Sequence, residues 1–294
     1  MNKVGFIGVG IMGKSMVRNL MKAGFELHIY ARTKSKVEDV ISEGAQFHES
    51  IKDCVQDCDA VITIVGFPQD VEEVYFDEGN ILDSAKEGAY LIDMTTTSPQ
   101  IAEKIYAEGT KRGFHVMDAP VTGGDTGAKA GTLSILVGGE KEDYEACMPL
   151  FEAMGTNINY QGKAGCGQHC KLANQIMIAG TLSGVCEALT YAKEQGLDPK
   201  VFMKSVATGA AGSKQLDTFG PKILKDDYAP GFFMKHFIKD MKLALIEANR
   251  KGLSLDVLSM VLANYEELEQ EGYGDLGTQA LMKFYDEEHR NTEE

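Results

Sequence analysis

Lys3-Val4-Gly5-Phe6-Ile7-Gly8-Val9-Gly10-Ile11-Met12-Gly13 begins as a run of β-branched and aromatic residues and ends in three glycines spaced GxGxxG. A helix-period pattern follows through Met16, Leu20 and Ala23, stops at Gly24, and gives way to a second strand-like run from Glu26 to Tyr30. Strand, glycine turn, helix and strand in that order give the glycines a physical reading. Gly8 permits a tight turn, Gly10 lets backbone N–H groups approach a pyrophosphate, and Gly13 lets helix and strand pack closely. The diphosphate would lie at the positive end of that helix, where Ile11 and Met12 begin it. A dinucleotide is the expected ligand.

The residues after the second strand indicate which dinucleotide. A site for NAD usually places an acid there to accept from the ribose 2′-hydroxyl, whereas NADP needs a cation for its 2′-phosphate. The chain reads Tyr30-Ala31-Arg32-Thr33-Lys34, with no carboxylate. Arg32 offers a planar fork suited to phosphate, with the Thr33 hydroxyl and Lys34 close by, and Ala31 before it is a further candidate cofactor contact. NADP is therefore expected in preference to NAD.

Strand and helix continue to alternate. Ala60 to Val65 reads as a buried strand ended by Gly66-Phe67-Pro68, and a helix is expected over Gln69 to Phe76. Gly88 to Asp93 is another strand, and Ser98-Pro99 is a start signal for a helix over Gln100 to Arg112. Alternating units of this kind predict a mainly parallel, doubly wound α/β sheet of Rossmann type, whose ligands bind beyond the carboxyl ends of the strands. Val65, Gly66, Pro68 and Thr96 fall at such ends and are candidates to line the cofactor. After a strand at Phe114 to Asp118 comes Ala119-Pro120-Val121-Thr122-Gly123-Gly124, read as a glycine-rich loop whose N–H groups and Thr122 hydroxyl can hold a carboxylate. A strand at Thr132 to Gly138, one helix over Glu140 to Met154 and an edge strand at Asn157 to Tyr160 complete a first domain, 1–163.

Beyond that point the β signal ends. Gly165-Cys166-Gly167-Gln168-His169-Cys170-Lys171-Leu172-Ala173-Asn174-Gln175 runs from a glycine turn into a long helix ending near Gln195. On that helix Lys171, Asn174 and Gln175 project from one face, so a cation and two amides converge where a proton could pass to or from a substrate oxygen. Further helices are expected at about 198–208, 236–251 and 255–271, with irregular chain between them, making 164–294 an all-α second domain. An exposed apolar helix face there predicts a homodimer or homotetramer.

Composition narrows the classes. Lys plus Arg number 29 against 44 Asp plus Glu, a net charge of −15, which argues against nucleic acid or an anionic membrane as partner. The apolar start is too short for a signal peptide and no uninterrupted apolar run of membrane-spanning length occurs, so a cytoplasmic location is expected. Cys54, Cys58, Cys147, Cys166, Cys170 and Cys186 show no CxxC pairing and read as reduced thiols. Cys166, His169 and Cys170 lack a fourth neighbouring ligand, so no metal is expected. The acidic residues Asp286, Glu287, Glu288, Glu293 and Glu294 read as a frayed, solvated end.

Four segments in order resemble the β-hydroxyacid dehydrogenase family, which includes 3-hydroxyisobutyrate dehydrogenase, tartronate semialdehyde reductase and the glyoxylate/succinic semialdehyde reductases. They are Gly8 to Gly13, Asp118 to Gly124, Gly165 to Gln175, and Lys239-Asp240-Met241-Lys242-Leu243-Ala244. The resemblance implies hydride transfer between NADP(H) and a small 3-hydroxy acid, semialdehyde or 2-oxo acid. Lys171 would be general acid and base, Asn174 its support, Thr122, Gly123 and Gly124 the carboxylate ligands, and Thr96 and Lys239 cofactor contacts. Gln175 and Thr122 depart from the family's asparagine and serine, which bears on substrate identity rather than chemistry. The rival readings are a non-catalytic NADP-binding redox sensor, a 6-phosphogluconate dehydrogenase-like enzyme and an imine reductase-like enzyme; the presence of Lys171 and the chain length weigh against them.

Overall fold

The structure, a computed structural model, describes residues 1–285; the acidic end discussed above lies outside them. The chain divides into two compact units, one ending at Lys171 and the other starting at Leu172. The first contains nine strands: β1 Lys3–Ile7, β2 Glu26–Tyr30, β3 Gln46–His48, β4 Ala60–Thr63, β5 Tyr90–Asp93, β6 His115–Asp118, β7 Val121–Thr122, β8 Leu133–Gly138 and β9 Gly155–Gly162. Its helices are α1 Ile11–Lys22, α2 Glu38–Ser42, α3 Ile51–Val55, α4 Pro68–Phe76, α5 Ile81–Ser84, α6 Pro99–Lys111, α7 Gly124–Ala130, α8 Lys141–Ala146 and α9 Met148–Met154.

The strands lie in the order β3-β2-β1-β4-β5-β6-β8-β7, with β9 also on β8. From β3 to β6 every pairing is parallel. Only β8 runs antiparallel to its neighbours β6 and β7. Because side chains alternate along a strand, Val4 and Phe6 join one core with Met16, Val17 and Leu20 of α1, while Ile7 joins a second with Val55, Val61 and Leu91. Two cores on two faces make the sheet doubly wound. Strand order reverses between β1 and β4, and the crevice at their carboxyl ends is where such sheets bind ligands.

Two expectations need correction here, and four short elements carry no sequence signal. The segment after Asp118 is not a loop: it forms the short strand β7 and then α7, with Gly123 and Gly124 at φ +130° and +63° making the turn between them. The helix expected over Glu140 to Met154 is two, because Pro149 belongs in a first helical turn and starts α9 after Cys147. The edge strand β3 and the short helices α2, α3 and α5 carry too few residues for their periodicity to register.

The helical unit is built on α10, Cys166–Glu194, which starts in the first unit, with α11 Pro199–Val206, α12 Lys214–Ile223, α13 Met234–Arg250, α14 Asp256–Gln270 and 3₁₀ turns after them. In a stretch expected to be irregular, α12 forms behind the Ser213 hydroxyl, which caps it by accepting from the Leu216 N–H at 3.1 Å. By length and apolar content alone α10 would pass for a membrane span, but glycine, serine and threonine interrupt its apolar run. Its Ala179, Leu182, Cys186 and Leu189 are buried with Phe237, Met241, Val261 and Tyr265 in one core. Met177, Tyr191, Val201, Ile246, Val257 and Met260 remain exposed on this unit.

Candidate active site

The glycine turn between β1 and α1 separates into two structural glycines and one that faces open space. A Cβ on Gly8, which sits at φ +97°, would fall 2.1 Å from the Ile64 carbonyl oxygen, and one on Gly13 would fall 2.1 Å from that of Gly8. Around Gly10 nothing lies within 4 Å. The first turn of α1 has no capping side chain and no acid, so its positive end is left for an anion. Ile11 is exposed and Met12 half-buried beside it. These residues fit the diphosphate of a dinucleotide.

At the β2 end Arg32 and Thr33 are exposed and Ala31 half-buried. The structure adds a carboxylate that local sequence does not show there. Asp70, from the first turn of α4, accepts from Arg32 Nη1 at 3.3 Å.

The ends of β4 and β5 are joined by a buried network. Asp93 Oδ1 accepts from the Thr63 hydroxyl at 2.8 Å and from the Thr95 N–H at 3.1 Å. The Thr95 hydroxyl in turn accepts from the Val65 N–H at 3.0 Å, fixing the turn that carries Val65, Gly66 and Pro68. Asp93 Oδ2 is buried without a hydrogen-bond partner, and burial pushes the carboxyl up to about 6 against the help of its donors. Within Thr95-Thr96-Thr97 the outer two are buried and Thr96 is the half-exposed one.

The start of α10 is pinned to the same edge of the sheet. Asp118, at the end of β6, accepts from the Gly165 N–H at 2.7 Å and the Gln168 N–H at 2.8 Å, satisfying two donors that a helix start leaves over. Burial raises the Asp118 carboxyl above its usual range, opposed by these N–H groups. The Gln168 amide, fully buried, donates to the Thr95 carbonyl at 2.7 Å and accepts from the Thr97 N–H at 3.0 Å. Gly167 permits the approach, since a Cβ there would meet the Leu136 carbonyl oxygen at 2.3 Å. Lys171, one turn further along α10, is 7% exposed and belongs to the unit that holds the glycine turn.

Thr122 is half-buried at the end of β7, and Gly123 and Gly124 are exposed after it; around a Cβ on Gly124 nothing lies within 4 Å. The other predicted residues lie in the helical unit. Asn174 Nδ2 donates to Gln175 Oε1 at 2.8 Å, and Gln175 Nε2 donates to Asp240 Oδ2 at 2.6 Å. Lys239 Nζ lies 3.0 Å from Asp240 Oδ1. Gln175 is thus committed to a buried acid of α13, and Asn174 leans on Gln175.

Sequence reasoning missed Asp70, Asp93, Thr95, Asp118, Gln168 and Asp240 as working parts of these arrangements. Asp118, Gln168 and Asp240 stand inside quoted motifs, but their partners lie 47 to 73 residues away in the chain. Local spacing carries no signal for such pairs.

The profile described as the NAD binding domain of 6-phosphogluconate dehydrogenase matches residues 3–162, and that described as NAD-binding of NADP-dependent 3-hydroxyisobutyrate dehydrogenase matches 165–285. The chain is 49% identical over 282 residues to the Bacillus subtilis protein called "Uncharacterized oxidoreductase YkwC", covering 96% of this chain and 98% of that one. It is 45% identical over 281 residues to the Arabidopsis thaliana "Probable 3-hydroxyisobutyrate dehydrogenase-like 1, mitochondrial", covering 95% and 84%. The solved 3-hydroxyisobutyrate dehydrogenase of Mycobacterium tuberculosis with L-serine superposes with a TM-score of 0.89 at 26% identity, over 97% and 99% of the two chains.

Proposed function

The chain belongs to the β-hydroxyacid dehydrogenase family as a nicotinamide-dependent oxidoreductase, and from that premise we propose that it interconverts a small 3-hydroxy acid and its semialdehyde or oxo acid with Lys171 as the proton carrier. The observation that carries this reading is the pinned start of α10. Asp118 and Gln168 hold it at the carboxyl ends of β5 and β6, on the sheet edge that bears the glycine turn, with Lys171 buried one turn on. A bound nicotinamide supplies and accepts the hydride. Lys171 gives its proton to the substrate oxygen in reduction and takes it back in oxidation, and its charge steadies the developing alkoxide. Asn174, on the next turn of the same helix, keeps the amine on that face. Thr122 with the N–H groups of Gly123 and Gly124 receives the substrate carboxylate, and Arg32 with Thr33 receives a 2′-phosphate, which makes NADP the favoured cofactor.

A semialdehyde or hydroxy acid of three to four carbons is consistent with the Arabidopsis relative's name and with the L-serine in the mycobacterial structure. Exposed Met177, Tyr191, Val257 and Met260 on the helical unit support assembly with a second copy of the chain, read by sedimentation. The deciding experiment follows NADPH oxidation with glyoxylate and with succinic, methylmalonate and tartronate semialdehydes, and NADP⁺ reduction with the hydroxy acids and L-serine. Turnover of at least one carboxylate-bearing aldehyde, and none of its uncharged analogue, is expected. A protein that binds the dinucleotide and turns over none of them refutes the enzyme reading.

A further inference from the structure

At the β2 end the structure brings together two groups that ask for different dinucleotides. Arg32 is the cation suited to a 2′-phosphate, and its side chain is 75% exposed. Asp70 is the acid suited to a free ribose hydroxyl, and its side chain is only 19% exposed. The two meet at 3.3 Å, across 38 residues of sequence. The acid is the anchored partner: its second oxygen accepts from the Phe67 N–H at 2.9 Å and closes the first turn of α4. The guanidinium is the one that can swing away.

We propose that Asp70 sets the ratio in which this protein binds NADP and NAD. This rests on reading Arg32 as the ligand of the 2′-phosphate. With Asp70 in place, a 2′-phosphate must share the guanidinium with a carboxylate that its own charge opposes, so NADP binds below the affinity that Arg32 alone would allow. The same carboxylate offers an acceptor to the hydroxyl that NAD carries in place of the phosphate. The site therefore accepts both dinucleotides, and its preference for NADP is the residue of two opposed terms. A chain with an acid at the β2 end itself would settle on NAD; here α4 delivers the acid from the side, where it tempers the arginine without replacing it.

The test is calorimetric titration of the full chain with NADP⁺ and NAD⁺. Asp70→Asn keeps an oxygen for the Phe67 N–H, so α4 stays capped while the charge goes. The ratio of the NADP⁺ to the NAD⁺ association constant should rise roughly 3- to 10-fold, the scale of a solvent-screened charge effect. Asp70→Glu restores the charge and should bring the ratio back towards the starting value. An Asn variant with an unchanged or lower ratio, or a Glu variant indistinguishable from Asn, overturns the proposal. Arg32→Ala is the separate check on its premise. If the ratio survives Arg32→Ala, the phosphate role of Arg32 fails and the proposal with it. If the ratio falls there yet ignores Asp70→Asn, only the role of Asp70 is lost.

Discussion

The sheet-bearing unit and the helical unit bury polar side chains in different ways. In the first, Thr63, Asp93, Thr95, Thr97, Asp118, Gln168 and Lys171, each no more than 7% exposed, gather at the carboxyl ends of β4, β5 and β6 and at the start of α10. In the second, the core is Leu, Met, Val and aromatic side chains such as Phe237 and Tyr265, and the buried polar side chains Gln175, Ser183, Asp240, Thr278 and Gln279 are spread over α10, α13 and the last 3₁₀ turn, with Asp240 held by Gln175 and Lys239. Burying polar groups is costly unless they are paired, so their concentration at one edge supports the proposed use of that edge for positioning. The apolar core of the helical unit serves stability instead. Substitutions in the two regions should therefore register in different measurements.

The largest effect belongs to Lys171→Ala. It should lower kcat by about 10²- to 10⁴-fold while leaving the dinucleotide dissociation constant and the melting temperature near their wild-type values. An unfolded variant or an active one would erase the distinction between the two regions. In the helical core, Phe237→Ala should do the reverse, costing roughly 3–5 kcal/mol in urea unfolding because the ring is fully buried against Tyr265. Its kcat, measured well below the unfolding midpoint, should be little changed.

Gln168→Met tests the middle ground. Removing the amide leaves the Thr97 N–H and the Thr95 carbonyl without their partner, which should cost about 1–3 kcal/mol in unfolding. A kcat that falls roughly 10-fold in the folded variant would separate a positioning role from a merely structural one. Equal losses for Gln168→Met in stability alone would place it with the helical core.

The smallest effect is visible only against pH. Burial raises the Asp93 carboxyl to about 6 in the folded chain, above its ordinary value near 3.8. Between those values the folded protein holds more protons than the unfolded one, so this group's contribution falls as pH rises through the window and levels off above about pH 6. Asp93→Asn removes the ionisable group while keeping an oxygen for Thr63 and the Thr95 N–H. Relative to wild type it should gain on the order of 1–3 kcal/mol between pH 4 and pH 7. Unfolding curves at the two pH values that move in parallel for both proteins would show that Asp93 does not titrate in that range.

Much of the fold was legible because its signals are local. The strand, glycine turn and helix of Lys3 to Lys22, the Ser98-Pro99 helix start and the long apolar helix from Cys166 depend on neighbours a few residues apart. Elements shorter than two turns, such as α2 and α3, offered no period to read, and α12 was hidden by Pro221 within it. The candidate site divides in the same way. Gly8, Gly10 and Gly13 could be given distinct parts from their spacing. The turn after Asp118 could not, because the strand pairing of Val121 and Thr122 with Ile135 and Ser134 decides that it is not a loop.

By itself the sequence determined the kind of molecule: a parallel sheet with a dinucleotide turn, a helical second unit, and a family whose motifs occur in order. Each of those follows from residue type and short-range periodicity, which the chain carries wherever it is folded. Only the tertiary structure decided that Asp70 reaches Arg32, that Asp118 and Gln168 pin the start of α10, and that Asp93 lies buried with one oxygen unpartnered. These are meetings of groups far apart in the chain at the ends of neighbouring strands. Which strands are neighbours is a property of the packed sheet.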